Sequence, residues 1–324
     1  LKSPEEMVKY VHKNVDSKKA LGISFFTALL FAIHPVQVET VCWISASKIV
    51  LSTFFYLSAL ICYIQYMRNS KWQYLLASGV SSILAMGCKE QSVIIVPCLL
   101  LFDWMLFKRN MRSLKVYIEK VYYLIPAIAI FIVTLVANKN TGEEIIGYTI
   151  VDRFIFLCYS VFKYLLISAI PFKLSYLYPF PFQVGEKIPM ALWIYLFVIL
   201  FIGYVIYLNR RKPLLVFCTL FFILHLLPVL HVIPLPRYVV AADRYLYIPY
   251  IAFAIGLSIL SYHLYERQRK WILYAGFLYC SYLCVYTAGY APAWKNSDTL
   301  KEHFKEVLKK RETNLSINFK HEKQ

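Results

Sequence analysis

The sequence predicts an all-α, polytopic membrane helical bundle of about nine spans, with interfacial helices beside them. Two observations carry this: 60% of the residues are hydrophobic and 17% aromatic, and the apolar residues come in runs about as long as a bilayer core is thick. A third observation sets the orientation. The formal net charge of +17 is gathered in short Lys/Arg clusters between apolar runs, as the positive-inside rule expects. The charge therefore reports topology rather than a polyanionic ligand, and no nucleic acid is expected as a partner.

Residues 1–19 form a charged amphipathic segment without a secretory signal, expected on the cytoplasmic side. The chain opens on Leu1 and reads as a fragment whose true N-terminus is missing. A transmembrane core is expected over 20–292, with spans at 20–36, 49–67, 72–88, 92–108, 121–137, 189–208, 213–230, 248–262 and 271–290. This numbering puts the basic clusters Lys13/Lys18/Lys19, Arg68/Lys71, Lys108/Arg109/Arg112/Lys115, Arg210/Arg211/Lys212 and Arg267/Arg269/Lys270 on one side. Residues 149–170 make a further apolar stretch, but counting it as a span moves the last two clusters to the other side. At about 100° per residue, Asp152, Tyr159 and Lys163 share one face, so an amphipathic helix at the outer interface is expected there. Residues 293–324 carry charge and apolar positions at helical spacing and predict an outer C-terminal helix.

The cysteines, at 42, 62, 88, 98, 158, 218, 280 and 284, lie in or beside apolar runs without C-x-x-C pairs or nearby His. They read as packing residues, indicating neither zinc nor a disulfide framework.

The unusual polar groups fall on the outer side. His34 ends the first span, and Glu39 and Trp43 follow on one helical face, either as a re-entrant helix lining a polar cavity or as a Pro35-broken loop with Trp43 anchored at headgroup depth. Lys89, Glu90 and Gln91 interrupt a nearly continuous apolar run, at a cost of about 2.5–3.5 kcal/mol per charge at mid-depth. The bland reading is a surface hairpin turn; the functional one gives Lys89 a phosphate near the membrane. In AADRYLYIPY, Asp243 and Arg244 precede a span with Tyr245, Tyr247 and Tyr250 beside them. An exposed ion pair there contributes only about 0–1 kcal/mol, whereas Arg244, oriented by Asp243, offers a fork of donors to phosphate oxygens. Asp103 sits near a cytoplasmic helix end and reads as structural.

Taken in order, LLFAIHPVQVETVCWISASKIVLS, LAMGCKEQSVIIVPCLLLFDW, YLYPFPF, LLPVLHVIPL followed by AADRYLYIPY, and WKNSDTL resemble one family: bacterial membrane proteins with tetratricopeptide repeats, related to the transmembrane and tetratricopeptide-repeat O-mannosyltransferases of eukaryotes, in the GT-C class of glycosyltransferases. The resemblance covers residues 20 to about 310 and implies a GT-C-like core in a bacterial inner membrane, with active-site loops and C-terminus periplasmic. The tail would then begin a tetratricopeptide repeat. It implies inverting transfer of a sugar, mannose or a similar hexose, from a polyprenyl-phosphate donor to a Ser/Thr hydroxyl of an acceptor protein. It implies no tightly bound cofactor and leaves a divalent metal open. Lys89 and Arg244 look like the family's contacts to the donor phosphate, and His34, Glu39, Trp43, Glu90, Asp243 and Tyr245 like lining of the donor or acceptor cavity.

Two departures stand out. The family's earlier span and acidic outer loop, which would supply the catalytic base, have no counterpart, leaving Glu39 and Asp243 as candidates beside Glu90. A missing N-terminal portion supplies the base, or the polypeptide is inactive alone. Ile49 also replaces a carboxylate that the family carries after the basic residue of SASK. The departures keep a non-catalytic membrane binding or assembly module as an alternative. A transporter or lipid flippase is a second one, which predicts internal repeats and broken mid-membrane helices.

Overall fold

The computed structural model describes residues 17–137, 147–175, 177–231 and 239–305. Among them the regular elements are helices, with an isolated antiparallel bridge between Tyr178 and Ala241. They run α1 (Ser17–Ile33), α2 (Val38–Cys42), α3 (Ser47–Asn69), α4 (Trp72–Cys88), α5 (Ile95–Met105), α6 (Leu114–Ile118), α7 (Val121–Ala137), α8 (Ile150–Ala169), α9 (Ile194–Leu208), α10 (Pro213–Leu226), α11 (Pro249–Arg267) and α12 (Arg269–Tyr290). Short 3-10 turns at Pro35–Gln37, Glu90–Ile94 and Asp243–Leu246 join several of them. Residues 297–305 are helical, opened by Asn296, whose side chain accepts from the Asp298 and Thr299 amides. The rest of the expected C-terminal helix, the first sixteen residues with Lys13, and 232–238 of the VIPLPRY stretch lie outside the described residues.

Small residues set the closest packing. In the α3–α4 hairpin, Ser70 takes the left-handed conformation (φ 54°) that closes the turn. The Ser78 hydroxyl donates to Ala59 O at 2.7 Å and the Ser52 hydroxyl to Ala85 O at 2.9 Å, satisfying each polar group in the apolar interface. Gly79 admits the Tyr122 ring of α7, which a Cβ would meet at 3.4 Å. On the other side of the bundle α1 lies against α11, tied by Thr27 to Ser258 at 3.0 Å.

The structure corrects the expected number of spans. Among the described residues three helical stretches are long and apolar enough to cross a membrane, Ile44–Asn69, Met190–Leu208 and Arg269–Trp294, and a fourth counts if Ser17–Ile33 and Pro35–Cys42, bent by 55°, form one broken span. They match four of the nine expected stretches. The others end too early or turn too polar. Trp72–Cys88 and Val121–Ala137 have 17 residues each and Ile95–Met105 has 11, so even the longer pair reaches about 26 Å against a core of about 30 Å. In α11 the last turns carry Ser261, Tyr262, His263 and Glu266. An apolar run measures composition, while the Lys89–Gln91 break and the prolines decide where a helix stops.

Residues 149–170 form α8, opened by a reciprocal capping box between Thr149 and Asp152. This helix is not among those apolar enough to cross. At its C-terminal end the Tyr279 hydroxyl, halfway along α12, donates to Ala169 O at 2.8 Å. Beyond it, the Tyr282 hydroxyl donates to Pro171 O, and the Tyr286 hydroxyl accepts from the Leu174 amide at 3.1 Å. The chain after α8 thus runs along one tyrosine-bearing face of α12 toward Asp243.

Candidate functional site: a cation-lined recess

Pro35, which has no amide hydrogen, opens a 3-10 turn after His34, whose Nδ1 accepts the Val36 amide at 3.3 Å. The resulting bend aims α2 at the turn Asp243–Leu246, and Glu39 meets it fully buried. Its Oε2 accepts the backbone amide of Arg244 at 2.9 Å, and its Oε1 takes the guanidinium Nη1 at 2.5 Å. The guanidinium also stands 5.7 Å from the Trp43 ring and 5.0 Å from that of Tyr245. Trp43 lies just beyond α2 in extended conformation, and its amide still bonds to Glu39 O.

Asp243 does not orient Arg244. In a 3-10 turn successive side chains diverge by about 120°, so Arg244 points to Glu39 and Asp243 points away, where its Oδ1 accepts the Tyr178 hydroxyl at 2.8 Å. Burial and then the neighbouring charge of Glu39 push the Asp243 carboxyl well above the usual range, beyond what Tyr178, Lys163 and Arg244 restore. Asp243 Oδ2 has no protein hydrogen-bond partner, nor do the Gln37 amide and Thr40 Oγ1. The His34 ring packs on Tyr250 at 4.3 Å.

Lys89 arrives from another part of the chain. It ends α4 in extended conformation (φ −150°, ψ 120°), its amide bonded to Ala85 O at 3.0 Å. The following turn is held to α3 by the Ser52 and Ser92 hydroxyls, 2.7 Å apart. Its side chain then lines a recess shared with Arg244, Tyr245, Ile49, Tyr56 and His225, of about 30 Å³, room for a water or two. On its outer side Lys89 Nζ pairs with Glu90 Oε1 at 3.0 Å.

Of the site residues expected from sequence, Lys89, Arg244 and Tyr245 meet at the recess. Glu39 and Trp43 hold Arg244, Glu90 sits beside Lys89, and His34 and Asp243 lie buried behind. His225 and Tyr56 were not anticipated: Tyr56 OH and His225 Nε2 are 2.8 Å apart, with Nδ1 on Phe221 O at 2.8 Å. A histidine inside the apolar run LLVFCTLFFILHLL was their signal. Among the described residues no three His, Cys, Asp or Glu side chains converge as metal ligands.

These features define an all-helical membrane protein with a cation-lined recess at one end of its bundle. In sequence, the chain is similar to human protein O-mannosyl-transferase TMTC2, 32% identical over 101 residues, and to the mouse protein of the same name, 31% identical over 101 residues. Each match covers 29% of this chain but only 12% of the relative's length, so the relation is distant and partial. No family model and no solved structure matches the chain.

Proposed function

We propose that the chain is the core of an inverting membrane glycosyltransferase, moving a hexose such as mannose from a polyprenyl phosphate to a Ser or Thr hydroxyl of a protein. The partial similarity to a protein O-mannosyl-transferase supports a glycosyltransferase-like role. The observation that carries the donor assignment is the meeting of Lys89 and Arg244, remote in sequence, at one recess. As the sugar leaves, charge grows on the lipid phosphate, and two preset cations stabilise that charge without donating a proton. Glu39 fixes the plane of the Arg244 fork. In this reading the recess faces the periplasm from a bacterial inner membrane, and the first portion of a repeat follows α12.

Two apolar grooves offer room for the lipid tail. One, of about 670 Å³, lies between α1, α11 and α12; the other, of about 440 Å³, lies between α5 and α10. The second adjoins the recess: Ile94 and His225 line the recess, while Pro97, Leu224 and Leu227 line the groove. A tail descending there keeps its phosphate at Lys89.

The closed recess favours a second reading, a non-catalytic membrane binding module, because a phosphate enters only if a side chain swings away. Membranes bearing the chain, given radiolabelled polyprenyl-phosphate sugar, separate the two. Transfer of label to protein, reduced about 100-fold or more by Lys89→Gln or Arg244→Gln, is the expected result; donor retention without transfer, both by this chain and by a version extended upstream through an acidic outer loop, indicates the binding module.

A further inference from the structure

The groove of about 670 Å³ between α1, α11 and α12 is walled by Phe26, Leu257, Ile272 and Phe277, with Tyr262 and Tyr265 at one end. That volume suits a whole ligand rather than a packing fault. Gly22 and Gly276 face open space in it, since a Cβ added at either meets nothing within 4 Å. From Phe253 to Tyr265 the groove follows α11 for about 18 Å. At the Phe253 end, that ring stacks on the fully buried Tyr250, centroids 5.9 Å apart. The Tyr265 end lies at the opposite end of α11 from the Asp243–Leu246 turn.

That opposite end is basic. Lys18 and Lys19 open α1, and Arg267, Arg269 and Lys270 stand where α11 passes into α12, with the carboxylate of Glu266 among them. Cations mark one end of many membrane spans, but two of these lie on the groove itself. Lys19 Nζ sits 4.6 Å from the centre of the Tyr262 ring, and the Arg269 guanidinium 5.5 Å from that of Tyr265. Both rings line the groove. Lys19 also pairs with Glu266 at 3.5 Å, but with these side chains 42% and 48% exposed the pair is readily exchanged for another anion. Arg267 and Lys270 are exposed as well. An apolar slot thus ends in an excess of positive charge.

We propose that this groove is a binding site for an anionic membrane phospholipid, with an acyl chain along α11 and the headgroup phosphate between Lys19 and Arg269. In a bilayer an acyl chain gains little from an apolar wall alone, because lipid tails surround the protein everywhere. Selection therefore falls to the headgroup. A net negative headgroup is drawn to the Lys19 and Arg269 charges, whereas a zwitterionic one brings an ammonium of its own to compete for its phosphate. Bound in this way, the lipid ties the start of α1 to the junction of α11 and α12. The site stands apart from the recess: a donor held at Lys89 and Arg244 has its phosphate at the other end of α11, and the phospholipid binds whether or not sugar is transferred there.

The test uses the full chain in detergent micelles, titrated with phosphatidylglycerol or phosphatidylcholine of identical acyl chains, with bound lipid counted by native mass spectrometry. Phosphatidylglycerol is expected to bind about tenfold or more tighter than phosphatidylcholine. The double variant Lys19→Gln/Arg269→Gln, both at exposed positions that leave the fold intact, is expected to erase that preference. Gly276→Leu, which fills the groove, is expected to lose the bound lipid altogether. Arg210→Gln/Arg211→Gln removes two cations from the end of α9, away from the groove, and is expected to change nothing. Equal binding of the two lipids by the wild-type chain overturns the proposal. An equal loss of preference in the two double variants also overturns it, because the attraction is then diffuse. Loss of phosphatidylglycerol on Lys89→Gln, with Lys19→Gln/Arg269→Gln unaffected, assigns the groove to the tail of a lipid anchored at the recess and overturns it too.

Discussion

Two buried ionic clusters sit near opposite ends of α3, roughly 20 Å apart by helical rise, and they are built differently. At the Tyr63 end, Asp103 is completely enclosed: Lys120 Nζ bonds its Oδ2 at 2.6 Å, the Tyr63 hydroxyl bonds its Oδ1 at 2.5 Å, and Arg109 spans to Glu119 at 2.6 Å and to Asp103 at 3.3 Å. Both oxygens of Asp103 have partners. At the Ile49 end, Arg244 stays 20% exposed, Lys89 leans on a half-exposed Glu90, and Asp243 Oδ2 has no protein partner. A saturated network holds helices together, while an unsaturated one keeps donors and acceptors for a ligand or water. Charge alone does not distinguish the two; completeness of pairing does.

The largest expected effect lies at the saturated end. Asp103→Asn strips Lys120 and Arg109 of a buried counter-charge, and breaking such a network costs about 3–5 kcal/mol. Thermal unfolding in detergent should show that loss, with Lys120→Met comparable. A loss below about 1 kcal/mol would mean the cluster is hydrated and would erase the contrast between the two ends. Lys89→Gln follows, with the opposite signature: because Glu90 is half exposed, stability should fall by only about 1 kcal/mol or less, while sugar transfer falls about 100-fold. Equal losses of stability at Lys89 and Asp103 would make the recess another staple.

The two ends were also unequally readable from sequence. The runs 49–67, 189–208 and 271–290 announce α3, α9 and α12 because no charged residue interrupts them, and His34–Pro35 announces its bend because proline lacks an amide hydrogen. Lys89 and Arg244 stood out as charges beside apolar runs. Their neighbours did not: Glu39 meets Arg244 across most of the chain, and no spacing rule carries such a tertiary pairing. Adjacency even misled, since Asp243 and Arg244 are sequence neighbours that the 3-10 turn sends in different directions. Asp103 read as structural, but Lys120 as its partner depends on how α5 and α7 come together around Tyr63.

Asp243→Asn is the smallest expected effect and the finest test of the comparison. Because burial and Glu39 push the Asp243 carboxyl well above its usual value, the native protein binds a proton there that the unfolded chain has released above about pH 4. Stability therefore falls as pH rises from the unfolded pKa toward the folded one, since the native state holds more protons across that window. Asparagine copies the neutral carboxyl and can still accept from Tyr178, so at pH 7 the substitution should change stability by less than about 1 kcal/mol, in contrast to the same change at Asp103. It should also flatten the decline of stability with pH above about 4. Unfolding midpoints of wild type, Asp243→Asn and Asp103→Asn across pH 4–8 decide it: a large loss at Asp243 at pH 7 would mean that it is ionised, and that the recess end holds two buried charges against Arg244 rather than one.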